Sequence, residues 1–484
     1  MQIAFVASEA IPYAKTGGLA DVSGALPREL EKCGHKVKLF LPKYYSINEQ
    51  HFSLIYMDSL GEIPVRVNHT AHNITVYKGK LPQSVVEVYF INCPHFFHRH
   101  SLYTNDHDED ERFLLFNKAV IETIQRLSWK PDIIHCNDWQ TGLIPLLIKE
   151  NYSWDILFNG VSTVFTIHNI GYQGLFKKET AHKAELKEEH LYDDTIVHNG
   201  LFSFLKSAIS FADKINTVSE TYAKELLTAE YGAGLNKSLA KRLTDYSGII
   251  NGVDYNIWNP ETDKNIPFNY SLRDLSGKQK NKEFLLKKIN LPFDSKTPLI
   301  GMVSRMAAQK GFDLFASSAE YLMSFNAQWV VLGSGEKEYE QLFLLLQKEY
   351  PQKLAVSFGY NNELAHLIEA ASDIFLMPSQ YEPCGLNQIY SLKYGTVPVV
   401  RKTGGLADTV RDWDELLFNG SEDGTGFSFE QYDGYALTNA FDRALKHFQN
   451  KSVWSKIQLN GMMKDFSWNH SAEQYSELYK KAVK

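Results

Sequence analysis

The sequence predicts two α/β domains in series, each a doubly wound parallel sheet covered by helices. Short β-branched or apolar runs alternate with helical patterns along the chain, the habit of buried parallel strands joined by helical crossovers. With 484 residues, the chain is too long for one ordinary core. The alternation stops at residues 251–277, rich in Asn, Asp, Pro and Gly, and then begins again, as at a connection between domains.

In the first half, strands are predicted at residues 3–7, 37–41, 132–135, 162–167 and 214–218, with helices at 111–127 and 141–150. In the second half, strands fall at 299–304, 329–332, 355–358, 374–377 and 397–400, and helices at 337–350, 363–371 and 385–394. Most of these strands are continuous apolar runs, which suits sheets covered on both faces.

Hydrophobic residues make up 44% and charged residues 22%, with no apolar run of about 18 or more that could span a bilayer, so no membrane partner is expected. A formal net charge of −7 leaves no global positive field for a nucleic acid, and any phosphate must be held locally. The four cysteines, Cys33, Cys93, Cys136 and Cys384, lie far apart without Cys-x-x-Cys spacing, which favours a reducing compartment. Residues 1–7 carry no basic leader and read as a first strand, so a cytoplasmic protein is expected.

The heptapeptide Lys15-Thr16-Gly17-Gly18-Leu19-Ala20-Asp21 recurs as Lys402-Thr403-Gly404-Gly405-Leu406-Ala407-Asp408, each copy after a strand and at the opening of a helix. A Gly pair permits a tight turn and close approach to a ligand, and the helix start presents N–H groups at the positive end of its dipole. Such a loop suits phosphate or sugar hydroxyls; a plain strand-to-helix turn has the same composition, so for either copy alone both readings stand. Lys15 adds an ammonium directly before the first glycines, where an anion would meet it.

Further candidates sit where strands run out, the edge on which open α/β sheets bind ligands. Arg305 and Lys310 follow the strand at 299–304; a guanidinium fork and a compact ammonium can neutralise a diphosphate, and a structural ion pair would use the same residues. His168 and Asn169 end the strand at 162–167. Asp138 and Trp139 follow the strand at 132–135 and combine a carboxylate with an aromatic face, as sugar sites do. Glu382 is the only carboxylate of 378–386, where it either caps the next helix or meets a ligand. The acidic run Asp106, Asp108, Glu109, Asp110 and Glu111 reads as a solvated helix N-terminus. With neither paired Cys/His spacing nor a Walker loop, no metal and no cofactor is expected.

Several runs recur in a fixed order over nearly the whole chain. They are residues 8–22 around Glu9 and Lys15, Asn137-Asp138-Trp139-Gln140, Thr166-Ile167-His168-Asn169, Asn251-Gly252-Val253-Asp254 with Trp258-Asn259-Pro260, Ser304-Arg305 through Lys310-Gly311, Glu382-Pro383-Cys384-Gly385-Leu386, and Asp465-Phe466-Ser467-Trp468. Together they resemble the motifs of bacterial glycogen synthases and plant starch synthases. The resemblance implies a GT-B fold, two Rossmann-like domains facing a deep interdomain cleft. Residues 1–249 plus 465–484 would form the acceptor side, with the C-terminal helix crossing back, and 250–464 the donor side. It also implies retaining transfer of glucose from ADP-glucose to the non-reducing end of an α-1,4-glucan such as glycogen. By matched position, Lys15, Gly17 and Gly18 would approach the donor's phosphates and sugar, and Arg305 and Lys310 would bind its diphosphate. Glu382 with the amides of Cys384, Gly385 and Leu386 would hold the glucose hydroxyls, and Tyr360 would stack on the adenine. His168 would lie beside the reacting sugar with Asp138 and Asn169 nearby. Asn251 falls to the donor, Glu9 and Trp139 to the acceptor.

Two positions depart from the pattern: Tyr390 stands where many retaining relatives carry a second carboxylate, and Ala208 where the family usually has Gly. No side-chain nucleophile with an activating base stands out, so same-face substitution is expected, the leaving ADP oxygen taking the acceptor's proton. The competing readings are a transferase of the same fold using UDP-glucose or glucose 1-phosphate, and a glucan-binding scaffold without activity.

Overall fold

The computed structural model describes residues 1–192 and 195–483. The chain forms two compact units, Met1–Gly252 with Trp468–Lys484, and Val253–Ser467. Among the described residues no helix is long and apolar enough to cross a membrane.

Among the described residues, the first unit is built on a ten-stranded main sheet, with a small three-stranded antiparallel sheet of Leu175–Phe176, Val197–His198 and Leu201–Ser203 beside it in the sequence. The main sheet is parallel at its centre, with Gln2–Val6 between Lys36–Pro42 and Ile133–Asn137. Ser162–Ile167, Lys214–Thr217 and Tyr246–Gly248 continue it on one side, all parallel. The strand order reverses between Gln2–Val6 and Ile133–Asn137, the place where open α/β sheets receive ligands. The helix Gly18–Lys32 packs against the last helix, Trp468–Ala482. That last helix is tied down by Ser476 Oγ to His35 Nε2 (2.9 Å) and by the Tyr479 hydroxyl to His135 Nδ1 (2.7 Å). Ala208 is fully buried on the helix Phe204–Phe211, which packs on Ile144–Lys149.

The first sheet is not wholly parallel. Beyond Glu87–Asn92 the strands Thr70–Lys80, Ile55–Tyr56 and Ile63–Val67 pair antiparallel. The hairpin of Ile63–Val67 and Thr70–Lys80 turns on Asn68 and His69, at φ 50° and 63°, the two-residue turn whose twist matches paired strands.

The second unit holds a sheet that is six-stranded among the described residues, all parallel. In space the strands run Leu354–Phe358, Gln328–Gly333, Leu299–Val303, Ile374–Met377, Val397–Arg401, Phe427–Phe429, the doubly wound order that starts at a central strand and reverses once. Alternate side chains enter two cores: Ile300, Met302, Trp329 and Val331 meet Phe315 and Phe441 on one face. Leu299, Val330 and Leu332 meet Leu285 and Ile368 on the other. This two-sided burial is why the strands are continuous apolar runs. The reversal lies between Leu299–Val303 and Ile374–Met377.

Candidate active site

In each unit the candidate residues flank the reversal of strand order. In the first, the chain leaves Gln2–Val6, passes Glu9 and reaches the glycine loop, where Gly17 is the N-cap of Gly18–Lys32 and offers no side-chain cap. A Cβ added to Gly17 or Gly18 meets nothing within 4 Å, so this glycine pair faces open space. Lys15 pairs with Asp21 at 2.7 Å with its side chain 43% exposed, so its charge is turned to the end of its own heptapeptide and not to the loop amides. Glu9, 4% exposed, accepts from the amides of Thr16 (2.5 Å) and Gly17 (3.2 Å), from the Thr16 hydroxyl (3.0 Å) and from the Tyr103 hydroxyl (3.0 Å).

On the facing strand end, Asp138 holds φ 56°, a conformation uncommon outside glycine. Its carboxylate accepts from the amide of His168 at 2.8 Å and from that of Asn169. Burial pushes its pKa up to about 7 against those hydrogen bonds, with the charge of Glu9 adding to the rise. His168 sets Nε2 3.0 Å from Asn137 Oδ1, and burial holds its pKa down near 3, so the ring is neutral. Asn169 Oδ1 accepts from the Gly171 amide (2.9 Å). The Trp139 ring packs on Phe113, Phe176 and Phe204. It presses against Gly174, where a Cβ would stand 2.5 Å from the indole. Trp139 lines a cavity of about 540 Å³ together with Asn105, Asp106, Tyr172, Gln173 and His198. Asn251 is buried, and among the described residues its Oδ1 has no hydrogen-bond partner.

In the second unit two loops carry the chemistry and are laced together. Residues 304–306 continue the strand edge: Ser304 N donates to Leu332 O (3.1 Å) and Met306 N to Ser334 O (2.9 Å). A Cβ at Gly333 or Gly335 would stand 1.8 Å from Ser304 O or 2.2 Å from Met306 O, so only glycine lets the Arg305 loop lie this close. Gln380 N donates to Gln309 O and Gln309 Nε2 to Tyr381 O, at 2.9 and 3.2 Å. Gly311, φ 81°, seats the turn after Lys310 against Pro378. Across this seam Lys310 Nζ meets Glu382 Oε2 at 2.6 Å, and Ser379 Oγ adds a weaker donor at 3.2 Å. Arg305 is exposed and, among the described residues, reaches only the Gln309 side chain, at 3.4 Å. Gly385, φ 70°, and Leu386 lead into Asn387–Lys393, two residues later than the sequence places that helix. Cys384 is buried, whereas Tyr360 is 83% exposed beyond the end of Leu354–Phe358.

The second heptapeptide does a different job from the first. Gly405 N donates to Glu382 O at 3.1 Å. A Cβ at Gly404 would stand 2.0 Å from Glu382 O, and one at Gly405 2.1 Å from Cys384 O. Here the glycines let two backbones touch and fix the Glu382 loop, while Lys402 turns to Glu415 and Glu430.

Two further expectations are settled by packing. The acidic run opens the helix Glu109–Arg126 as expected but is only partly solvated: Asp106 is exposed, whereas Glu109 and Asp110 are buried, Arg99 pairs with Asp106 (2.9 Å) and Asp108 (2.6 Å), Arg112 with Glu109, and Lys183 with Asp110. Buried carboxylates persist there because each finds a cation. Tyr390 stacks on Trp258 at 3.9 Å, and Trp258 stacks on His366 at 3.7 Å. Asp263 fixes His366 Nδ1 (2.8 Å) and the Tyr394 hydroxyl (2.6 Å). The position of the missing carboxylate is thus a hydrophobic support beneath the helix that follows Glu382.

Sequence reasoning placed Gln309 and Gly311 in the motif without a role, and missed Gly333, Gly335 and Asn387, whose side-chain amide donates to Val303 O at 2.6 Å. Glycines directly after a predicted strand were the available signal.

Residues 2–241 match the family described as starch synthase catalytic domain, and residues 284–457 match glycosyl transferases group 1. The chain is 46% identical to a glycogen synthase of Koribacter versatilis over all of this chain and 98% of that protein. It is 42% identical to one of Thermotoga maritima over all of this chain and 99% of that protein. Its fold is similar to the catalytic domain of starch synthase IV from Arabidopsis thaliana bound to ADP and acarbose, with a TM-score of 0.91 and 33% identity over 99% of each chain. A sucrose-phosphate synthase from Thermosynechococcus elongatus, at 18% identity and a TM-score of 0.59 over 99% of this chain and 98% of that one, shares the fold. The two α/β units are those of the GT-B fold, and the chain belongs to the glycogen synthase and starch synthase family of glycosyltransferases.

Proposed function

We propose that the chain transfers glucose from ADP-glucose to the non-reducing end of an α-1,4-glucan with retention of configuration, the second unit serving the donor and the first the acceptor. The observation that carries this is the seam in the second unit, where Arg305, Lys310 and Glu382 stand on two interlocked loops at the strand-order reversal. In this reading Arg305 and Lys310 hold the diphosphate, as a fork and a point charge. Glu382 and the amides of Cys384, Gly385 and Leu386 take the glucose hydroxyls, and the exposed ring of Tyr360 stacks on the adenine. From the first unit, Lys15 leaves Asp21 to meet the phosphates, and the open face of Gly17 and Gly18 admits the donor.

His168, kept neutral, hydrogen-bonds the reacting sugar and does not act as an acid. Asp138 fixes the His168 amide with Asn169 nearby, and the oxygen of Asn251, unpartnered among the described residues, accepts from a donor hydroxyl. The glucan enters along Trp139 and its cavity, which pairs an aromatic face with polar walls. The bond from the anomeric carbon to ADP breaks, the acceptor hydroxyl bonds to the same face, and its proton passes to the departing ADP oxygen. Arg305 and Lys310 stabilise the charge that develops there. None of the four cysteines, three of them buried, forms a disulfide, which fits a cytoplasmic setting.

The test is incorporation of labelled glucose into glycogen from ADP-glucose, UDP-glucose and glucose 1-phosphate. ADP released in step with label that an α-glucosidase removes is the expected result. Transfer only from another donor, or glucan binding without transfer, rejects the proposal.

A further inference from the structure

Glu9 lies beside the glycine loop, a place where an acidic side chain would repel a diphosphate unless its charge were fully engaged. Its two oxygens accept from the Thr16 amide, the Gly17 amide, the Thr16 hydroxyl, which contacts both, and the Tyr103 hydroxyl. A carboxylate offers about four acceptor positions, so these donors saturate it and leave none for a sugar hydroxyl. The residue is 4% exposed.

The two captured amides are those directly before the helix Gly18–Lys32, whose N-cap has no side chain of its own. Holding both on one carboxylate fixes the peptide planes on which the helix start is built. Tyr103 ties the arrangement to a second segment, since its hydroxyl also meets Ser8 Oγ at 2.7 Å.

We infer that Glu9 is a positioning residue for the donor: it sets the shape of the loop at Lys15, Gly17 and Gly18 and does not touch the glucan. This rests on the reading of that loop as part of the donor site, and it replaces the acceptor role that the family resemblance implies for Glu9. A loop needing only to join a strand to a helix would not require a buried anion, which is costly unless several donors meet it.

The test is Glu9→Gln in the full chain, which turns one acceptor oxygen into an NH₂ group facing protein donors. The expected result is a loss of about tenfold in ADP affinity by calorimetry, the scale of one hydrogen bond to a charged group. KM for ADP-glucose should rise in parallel while KM for glycogen stays within about twofold. Tyr103→Phe should shift the same quantities in the same direction by less, and it decides the matter if Glu9→Gln fails to fold. Glu9→Asp, shorter by one methylene, should not restore ADP affinity. Unchanged ADP affinity, or a rise confined to the KM for glycogen, overturns the inference. Because ADP binding is read without turnover, failure of the proposed transfer reaction would show separately, in the wild-type protein.

Discussion

Replacing Lys310 by Ala removes the cation that faces Glu382 and should separate two consequences. The pair is 2.6 Å apart, with 6% of the Glu382 side chain exposed and 21% of Lys310. After the substitution the carboxylate keeps the Ser379 hydroxyl at 3.2 Å as a neutral donor. Breaking a fully buried pair costs about 3–5 kcal/mol. Water reaching the open lysine side reduces this, so a loss of about 2 kcal/mol in urea unfolding is expected. Turnover should fall by about a hundredfold or more, because a preorganised charge at the departing diphosphate is lost. Adding Glu382→Gln removes the unpaired charge and should restore most of the stability but none of the turnover. A single variant with wild-type stability and turnover within about tenfold, or a double variant that regains activity, would refute the assignment.

Three further outcomes follow from the same geometry. Gly18→Ala should fold normally, since its Cβ meets nothing, yet weaken ADP-glucose binding, whereas Gly405→Ala should lose about 1–3 kcal/mol because its Cβ must displace Cys384 O; unfolding curves and donor KM measured together distinguish them. Tyr390→Glu, which restores the carboxylate of many retaining relatives, should destabilise the second unit by about 2 kcal/mol or more, because it buries a charge against Trp258, and Tyr390→Phe should cost far less; urea melts of both variants check this. Burial holds His168 and His135 near 3, so the unfolded chain binds the extra protons as pH falls below about 6.5. Their contribution is complete above pH 6.5 and is lost between 6.5 and 3, up to about 5 kcal/mol each. Unfolding free energies at several pH values should show that slope, and His168→Gln should flatten it.

The sheets were legible because two-sided burial leaves continuous apolar runs, and the strands at 162–167 and 374–377 were placed to the residue. The hairpin edge of the first sheet was not placed, although Ile63, Val65 and Val67 alternate with exposed Pro64 and Arg66 as a half-buried strand should. The alternation is short and its turn, Asn68-His69, lacks the usual glycine. The site was legible as loops at strand ends, since a lysine, an arginine or a glycine pair stands out there. The pairing of those charges was not: Lys15 finds Asp21 within its own heptapeptide, but nothing local tells Lys310 to choose Glu382, or the two identical heptapeptides to do unlike work. These choices are made by segments 70 or more residues away, as with Lys310 and Glu382, or by what stands over a glycine, as with Gly405.

The most direct measurement is a crystal structure of the protein with ADP. The diphosphate should lie within hydrogen-bond distance of the Arg305 guanidinium and the Lys310 ammonium, with the adenine on the Tyr360 ring. A diphosphate remote from both cations, or held instead by a divalent ion, contradicts the assignment.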